Sequence, residues 1–367
     1  MKEKLTNLIK SCRFRGISQL VYSYLYQKTY KWNAKGNGVV LKTLPNTDFK
    51  RKWSQLGRVY ESVTYRYYSN YLDKLDEIVP ESIGRTCIEY VLNPIPYRAY
   101  YSDKNMFAII CGNENVPRTI VCRVNGSGLL DGDLRPIGNF SNKIWANLDK
   151  VILKPTIDAK GGSGIMLFIR DGEELKSGDV VLNKDFLLNY GRDFAVQELV
   201  TQHDMLATLN ETSVNTIRVA VYRSVIDERA YVIGSFVRIC GSGMFVDNAC
   251  AGGKYAGVDI QSGKIANSLR DIRGGKYSSQ NGIDYTNLDF IIPGWDIIKN
   301  KCIEVAESIH HHRLIAFDMT ITNEMKPIII EFNVESYNYG PFMYINQPPL
   351  GGFTNEIIEY CKEELNK

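Results

Sequence analysis

Two carboxylates and one amide near the C-terminal end of the chain have the residue types and the spacing of a metal site. Residues 314–334 read LIAFDMTITNEMKPIIIEFNV, two alternating apolar and polar segments around a polar turn at 323–326. In a hairpin with this turn, Asp318 lies opposite Glu331, and Asn333 shares the face of Glu331, because strand side chains alternate with period two. Such oxygen ligands suit Mg²⁺ better than zinc. The alternative is an ordinary amphipathic hairpin with a solvated acidic face.

A lysine followed by a glycine-rich segment is the second candidate for chemistry. Lys154 lies in a predicted strand at 151–155, TIDAKGGSG follows at 156–164, and another strand is predicted at 165–170. Backbone N–H groups of such a loop can lie over phosphates, although most glycine-rich hairpin loops are only turns. The sequence contains neither a Walker A motif nor Gly-x-Gly-x-x-Gly, which excludes a P-loop and a Rossmann dinucleotide site.

The segments around these candidates are predicted to be mostly strands, after a helical N-terminal part. Further strands are predicted at 119–124, 194–200, 216–223, 229–239, 257–260 and from 264 onward, and helices at 2–31, 48–78 and 295–311. Ser102 is expected to be the N-cap of another helix. Residues 35–38 are interpreted as a linker. This order of elements predicts an α+β protein with much antiparallel sheet.

Composition places the chain among globular proteins. Hydrophobic residues make up 44% and charged residues 23%, and no apolar run approaches the roughly 18 residues of a membrane span. The N-terminus lacks the apolar core of a secretory signal. Eight cysteines occur without a Cys-x-x-Cys pair, which is typical of reduced thiols. We therefore expect a cytoplasmic protein.

Positive charge is concentrated at the N-terminus. Residues 1–32 contain seven Lys or Arg against Glu3 alone, a net charge of +6 in a chain whose total is +3. This asymmetry does not favour a general nucleic-acid-binding surface. The predicted basic amphipathic helix at 2–31 could contact an anionic membrane peripherally. The alternative, which we favour from the sequence, is a helix docked on the protein with a solvated Lys/Arg face.

The histidines do not indicate a catalytic or metal site. His310, His311 and His312 end a predicted helix, where adjacent side chains diverge by about 100°. We expect them to form a solvated turn. His203 could act as a base toward an amine, but a lone histidine beside a strand end is expected to be structural.

Taken together, these features resemble the ATP-grasp superfamily, and more narrowly its sugar-transfer-associated branch from bacterial polysaccharide and cell-envelope biosynthesis. Four segments carry the narrower likeness: SVNTIRVAVYR (213–223), GSFVRICGSGMFVDNACAGGKYAGVD (234–259), IIPGWDIIK (291–299) and FDMTITNEMKPIIIEFNVES (317–336). The likeness extends from about Ser102 to Pro349 and covers residues 1–100 only loosely.

The resemblance implies a role for each matching residue. Lys154 and Lys104 would meet ATP phosphates, and Gly161, Gly162, Ser163 and Gly164 would form the loop over the triphosphate. Glu198, Leu199 and Val200 would hold the adenine edge, and Asp318, Glu331 and Asn333 would bind Mg²⁺. Arg218 and Arg238 match polar positions facing the phosphates or the acyl substrate. D-alanine–D-alanine ligase has an arginine where this chain has Ala316, so Arg238 or Arg218 would stabilise the oxyanion instead.

The resemblance also implies a fold with four regions. Residues 1–45 form a basic helical extension, 46–118 a mostly helical region, 119–200 the N-terminal ATP-grasp lobe and 201–367 the C-terminal lobe. Two α/β lobes would grip ATP between antiparallel sheets.

The expected activity is that of an ATP- and Mg²⁺-dependent carboxylate–amine ligase. It would join an amino acid or amine, through an acyl phosphate, to an acidic sugar or sugar-linked acid that is either free or carried on a lipid. The absence of a Ser-His-Asp or Cys-His constellation agrees with this chemistry, which needs no protein nucleophile. The alternatives are a kinase acting on a sugar or small molecule in the same cleft, or a nucleotide-binding scaffold without turnover.

Overall fold

A computed structural model describes residues 15–58, 62–157, 162–241 and 252–367 of the chain. Its α-helices are α1 (Arg15–Asn37), α2 (Thr47–Trp53), α3 (Ser62–Tyr68), α4 (Glu81–Ile83), α5 (Glu89–Leu92), α6 (Arg98–Ser102), α7 (Phe107–Cys111), α8 (Lys184–Tyr190), α9 (Asp204–Ala207), α10 (Trp295–Ser308), α11 (Tyr339–Tyr344) and α12 (Thr354–Asn366). A π-helical turn, Gly84–Ile88, joins α4 to α5. Among the described helices, none combines the length and hydropathy of a membrane span.

The strands form two larger antiparallel sheets and one small ribbon. They are β1 (Thr119–Arg123), β2 (Lys150–Pro155), β3 (Met166–Asp171), β4 (Glu174–Ser177), β5 (Val180–Val181), β6 (Phe194–Glu198), β7 (Ile217–Arg223), β8 (Ala230–Ile239), β9 (Lys254–Val258), β10 (Ile265–Arg270), β11 (Lys276–Tyr277), β12 (Ser279–Gln280), β13 (Ile283–Asp284), β14 (Leu314–Ile321) and β15 (Pro327–Asn333). The first sheet has the order β1-β6-β2-β3-β4-β5, the second β11-β10-β9-β8-β7-β14-β15, and β12 pairs with β13.

The six-stranded sheet buries one face against α8. Val151 and Leu153 of β2 pack with Phe168 of β3 and Leu187 of α8 in one hydrophobic cluster. Side chains alternate along a strand, so Lys154 projects from the opposite face of β2. That face is therefore available for a polar site.

The seven-stranded sheet carries a hydrophobic core on each face. Ile315 and Phe317 of β14 belong to the cluster that contains Ile298 and Cys302 of α10. Leu314 and Ala316 belong to a second cluster, formed with the N-terminal helices and α12. Because both faces are covered, β14 is buried along its whole length.

The N-terminal helical region docks on this second sheet. Asn93, which follows α5, donates from Nδ2 to the carbonyl oxygens of Leu314 at 2.6 Å and Val334 at 2.8 Å. Both acceptors lie at the same end of the β14–β15 hairpin. The mostly helical region 46–118 is therefore packed, through Asn93, against the hairpin that contains the predicted metal ligands.

Three expectations about local structure are wrong. The predicted linker at 35–38 is mostly helix: α1 continues to Asn37, whose side chain donates to Arg273 O at 2.6 Å. Ser102 is the last residue of α6, and Asp103 caps the following turn by accepting from the Asn105 N–H at 3.0 Å. His312 is buried instead of solvated, and burial lowers its pKa to about 4.

Candidate active site

The predicted register of the C-terminal hairpin is confirmed. Asp318 pairs with Glu331, and Ala316 pairs with Asn333, with a bulge between Asp318 and Met319. A tight turn joins the strands, in which the Thr322 N–H donates to Lys326 O at 3.0 Å. The alternation of two complementary strands around this turn places the three predicted metal ligands near one another.

Two arginines hold the Asp318 carboxylate. Arg218 is its neighbour across the β7–β14 pairing and donates from Nε to Oδ1 at 2.5 Å and from Nη2 to Oδ2 at 2.8 Å. Arg238 of β8 approaches the same carboxylate, with Nη2 3.0 Å from Oδ1. Burial raises the pKa of Asp318 to about 6, and the positive charges of Arg238 and Lys104 oppose this increase. The carboxylate is therefore mostly ionised at neutral pH.

Lys104 connects the two sheets. Its backbone N–H donates to Thr156 O, just after β2, at 3.3 Å, while its ammonium lies 3.2 Å from Glu331 Oε1 of β15. The side chain is largely buried. A cation anchored to the first sheet and a carboxylate of the second sheet thus meet between the two sheets. The Glu331 side chain is 34% exposed, so water partly screens their attraction.

Lys154 is a second buried cation near this contact. Only 8% of the residue is exposed. Burial and, secondly, the charge of Lys104 lower the pKa of its ammonium to about 8, although Glu331 opposes the decrease. Two lysines that repel each other in a buried cleft make a favourable position for an anion.

The described part of the glycine-rich loop lies between β2 and β3. Gly162 and Gly164 both have positive φ, 76° and 78°, and Ser163 is exposed. Tyr190 donates from its hydroxyl to Gly164 O at 2.5 Å, and a Cβ on Gly164 would lie 2.9 Å from Pro155 Cγ. Position 164 therefore needs glycine, because other residues rarely adopt this positive φ and because a Cβ would lie too close to Pro155. Gly161 lies outside the described residues.

The segment 198–200 joins the sheets. Glu198 ends β6, Leu199 and Val200 are partly exposed, and the His203 N–H donates to Ile321 O at the end of β14 at 2.7 Å. Glu198 pairs with the exposed Arg118, which adds little stability in water. Residues 198–200 thus lie between the two sheets, where the family resemblance implies that they hold the adenine edge of ATP.

Ala316 and His203 both lie beside β14, and neither side chain contacts Lys104, Lys154 or Asp318 in the hydrogen bonds and ion pairs of the described residues. Ala316 is fully buried and pairs with Ala220 of β7, while Arg218, two residues along β7, presents its guanidinium to Asp318. The Arg218 guanidinium is thus directed at Asp318. His203 accepts from the Met205 N–H at Nδ1 at 3.1 Å and caps α9, which is a structural role.

The donor set suits a hard divalent cation. A carboxylate offers about four lone-pair sites, and Glu331 has only the Lys104 contact, so it keeps sites for a cation. Both oxygens of Asp318 already contact Arg218 and Arg238, so a cation on Asp318 requires these contacts to shift. Among the described residues, no three His, Cys, Asp or Glu side chains form a metal cluster. A third protein oxygen would therefore have to come from a group such as the Asn333 amide.

Sequence reasoning missed the network that positions Lys104. Asn105 donates from Nδ2 to Thr156 Oγ1 and to Arg123 O, both at 3.1 Å, and its own N–H is bound by Asp103. The available signal was the polar run Ser-Asp-Lys-Asn at 102–105 between apolar segments. These bonds fix the backbone of Lys104 to the ends of β1 and β2.

Asn215, in the Asn-Thr-Ile-Arg segment, has a similar supporting role. It is fully buried, and its Nδ2 donates to Leu206 O at 2.8 Å while its N–H donates to Gln202 Oε1 at 2.8 Å. Both partners follow the segment between the sheets. Asn215, three residues before Arg218, therefore ties that connection to the start of β7.

The structure has two antiparallel sheets joined by a short connection, and lysines attached to one sheet lie near carboxylates of the other. This arrangement is the one expected for an ATP-grasp protein. The chain belongs to the sugar-transfer associated ATP-grasp family, whose model matches residues 88–357. The fold is accordingly an ATP-grasp fold with a helical N-terminal extension. No curated protein matches the sequence.

Solved structures of several ATP-grasp enzymes are similar at low identity. Biotin carboxylase from Campylobacter jejuni shares 12% identity over 71% of this chain and 46% of its own, with a TM-score of 0.40. The L-amino acid ligase from Bacillus licheniformis shares 10% over 70% and 48%, with a TM-score of 0.36. The VanG D-Ala:D-Ser ligase from Enterococcus faecalis shares 13% over 72% and 61%, with a TM-score of 0.39. This chain thus spans 46% to 61% of the length of these proteins.

Proposed function

We propose that this chain is an ATP- and Mg²⁺-dependent carboxylate–amine ligase that works through an acyl phosphate. The observation that carries the proposal is the Lys104–Glu331 contact, 3.2 Å long, beside buried Lys154. It brings phosphate-binding cations next to a carboxylate pair. Family membership supports ATP as the nucleotide.

Each part of the cleft has an assigned role in this proposal. Lys104, Lys154 and the loop 161–164 hold the phosphates, and residues 198–200 hold the adenine edge. Asp318, Glu331 and Asn333 hold Mg²⁺, which offsets part of the roughly four negative charges of ATP. In this proposal the Lys104–Glu331 contact and the arginine contacts of Asp318 open as the nucleotide and the ion bind.

The reaction requires positioning and charge compensation. A substrate carboxylate oxygen forms a bond to the γ-phosphorus as the bond to the β-phosphate oxygen breaks, which gives an acyl phosphate and ADP. An amine then bonds to the acyl carbon, the tetrahedral intermediate releases phosphate, and the nitrogen loses a proton. An oxyanion develops on the former carbonyl oxygen and needs a positive group nearby.

Arg238 is the better placed of the two arginines for this oxyanion. Arg218 is committed to Asp318 by two short hydrogen bonds, and its side chain is 9% exposed, against 18% for Arg238. Arg238 reaches Asp318 through one terminal nitrogen at 3.0 Å. We assign oxyanion stabilisation to Arg238 and the positioning of Asp318 to Arg218.

For the substrates, we propose an amino acid or related amine and an acidic sugar or sugar-linked acid of polysaccharide or cell-envelope biosynthesis. The family description, which refers to sugar transfer, supports this choice. The test is ADP release by the purified protein with ATP, Mg²⁺ and panels of uronic acids and amino acids.

ADP release that requires both a carboxylate and an amine supports ligation, and mass spectrometry should then find the amide. ADP release with a sugar hydroxyl and no amine would instead identify a kinase. Nucleotide binding without ADP release under any combination would contradict an enzymatic role and favour a scaffold.

A further inference from the structure

The outward side of α1 is apolar and aromatic. Ile17 is 59% exposed, Leu20 54% and Tyr24 67%, and Leu25 and Trp32 are also about half exposed or more. At about 100° per residue, these positions fall on one side of the helix. A helix of this length with so many large exposed apolar side chains is unusual on a soluble protein surface.

The inward side of α1 is attached to the protein through the apolar Tyr30 and Ala34 and through several polar side chains. Ser18, Gln19, Ser23 and Asn33 are buried there. The Gln19 Oε1 atom accepts from the Arg58 N–H at 3.2 Å. Turning the helix over to bury its apolar side would leave these polar groups without partners, so the apolar face is held outward.

The same helix carries only positive charge. Between Glu3 and Asp48 the sequence has no acidic residue, but it has eight basic ones: Lys4, Lys10, Arg13, Arg15, Lys28, Lys31, Lys35 and Lys42. Within α1, Lys28, Lys31 and Lys35 are exposed near Trp32. Arg273, in the turn between β10 and β11, stacks on the Trp32 ring at 4.0 Å and adds another cation to this region.

We propose that the outer face of α1 binds the surface of an anionic lipid bilayer. Leu20, Tyr24 and their apolar neighbours enter the headgroup region, and Lys28, Lys31 and Lys35 contact lipid phosphates. The combination of apolar side chains with uniformly positive charge matches an anionic membrane better than a protein surface, whose charges are mixed. This proposal goes beyond the proposed ligase function and does not depend on it.

The favoured expectation from the sequence was a docked helix with a solvated basic face. The structure shows that α1 is docked, as expected, but its outward side is apolar as well as basic. Docking and membrane contact are therefore compatible, because the two use opposite sides of one helix.

Vesicle co-sedimentation of the full-length protein tests the proposal. We expect binding to phosphatidylcholine vesicles that contain about one-third phosphatidylglycerol, and little binding to pure phosphatidylcholine. Leu20→Ser and Tyr24→Ser should each lower the partition coefficient about tenfold, since each removes a buried apolar group. Lys28→Gln and Lys31→Gln should each lower it about fivefold.

Two matched variants outside α1 serve as controls. Ile226→Ser removes an exposed apolar residue from the β7–β8 turn, and Lys184→Gln removes an exposed lysine from α8. Neither should change vesicle binding, and circular dichroism should show all six variants folded. Equal binding to neutral vesicles, or no effect of the α1 variants, would overturn the proposal. So would a dimer in solution that Leu20→Ser or Tyr24→Ser converts to a monomer, since the face would then join two copies.

Discussion

The Lys104 ammonium lies 3.2 Å from Glu331 Oε1, although the backbones of the two residues are attached to different sheets. The backbone of Lys104 is fixed to Thr156 after β2, whereas Glu331 lies in β15. At this point the two sheets are therefore close enough for one lysine and one glutamate side chain to bridge them. The contact also holds a cation and a carboxylate where ATP phosphates and a metal ion are proposed to bind.

Glu331→Gln should abolish turnover while the protein stays folded. The amide keeps the size of the side chain but removes the negative charge that would hold a cation. Glu324→Gln, in the exposed turn of the same hairpin, is the matched control. ADP release and thermal unfolding should be measured for both. Full activity of Glu331→Gln would remove this residue from the metal site.

Lys154→Met should weaken ATP binding by about tenfold or more, because a buried cation facing the phosphates is lost. Methionine retains the apolar stem, so we expect no loss of thermal stability. Lys150→Met changes an exposed lysine on the same strand and should leave affinity unaltered. Isothermal titration calorimetry measures both. Equal affinities for the two variants would place Lys154 outside the nucleotide site.

ATP affinity should fall as the pH rises above about 8. Burial lowers the pKa of Lys154 to about 8, so its ammonium is mostly charged at pH 7 and mostly neutral at pH 9. Bound phosphate favours the charged form, and binding at high pH must then take up a proton. The expected loss between pH 7 and pH 9 is about tenfold. Calorimetry in buffers of different ionisation enthalpy should detect the proton, and Lys154→Met should abolish that uptake.

Substitution of Arg218 should mainly lower stability, whereas substitution of Arg238 should mainly lower activity. Arg218→Lys should lower the free energy of unfolding by about 1–3 kcal/mol, because an ammonium cannot replace two parallel bonds to buried Asp318. Arg238→Lys should change stability little and lower kcat about a hundredfold. Urea unfolding and ADP release distinguish them. A stable Arg218→Lys beside a fully active Arg238→Lys would reverse our assignment.

Gly164→Ala should reduce ATP affinity, because its φ of 78° is unfavourable for alanine and its Cβ would press on Pro155. Gly172→Ala is the matched control: its φ is 62°, but no atom lies within 4 Å of the added Cβ. Both variants should lose about 1 kcal/mol or more of stability from backbone strain. Only Gly164→Ala should alter nucleotide binding, and equal affinities would argue against a role of this loop.

Local patterns were sufficient for the hairpin and for most strands. The register of Asp318 with Glu331 follows from a turn of known position and the period of two. The ends of the N-terminal helices were less predictable. Continuation of α1 through Gly36 to Asn37 depends partly on the contact of Asn37 with distant Arg273, which no local propensity reports.

Contacts between segments far apart in the chain required the tertiary structure. The bidentate bond of Arg218 to Asp318 depends on β7 lying beside β14, and the approach of Lys104 to Glu331 depends on how the two sheets meet. The direction in which α1 presents its apolar side depends on polar partners elsewhere, such as Arg58. Periodicity reports which residues share a face, but only packing between elements decides what that face contacts.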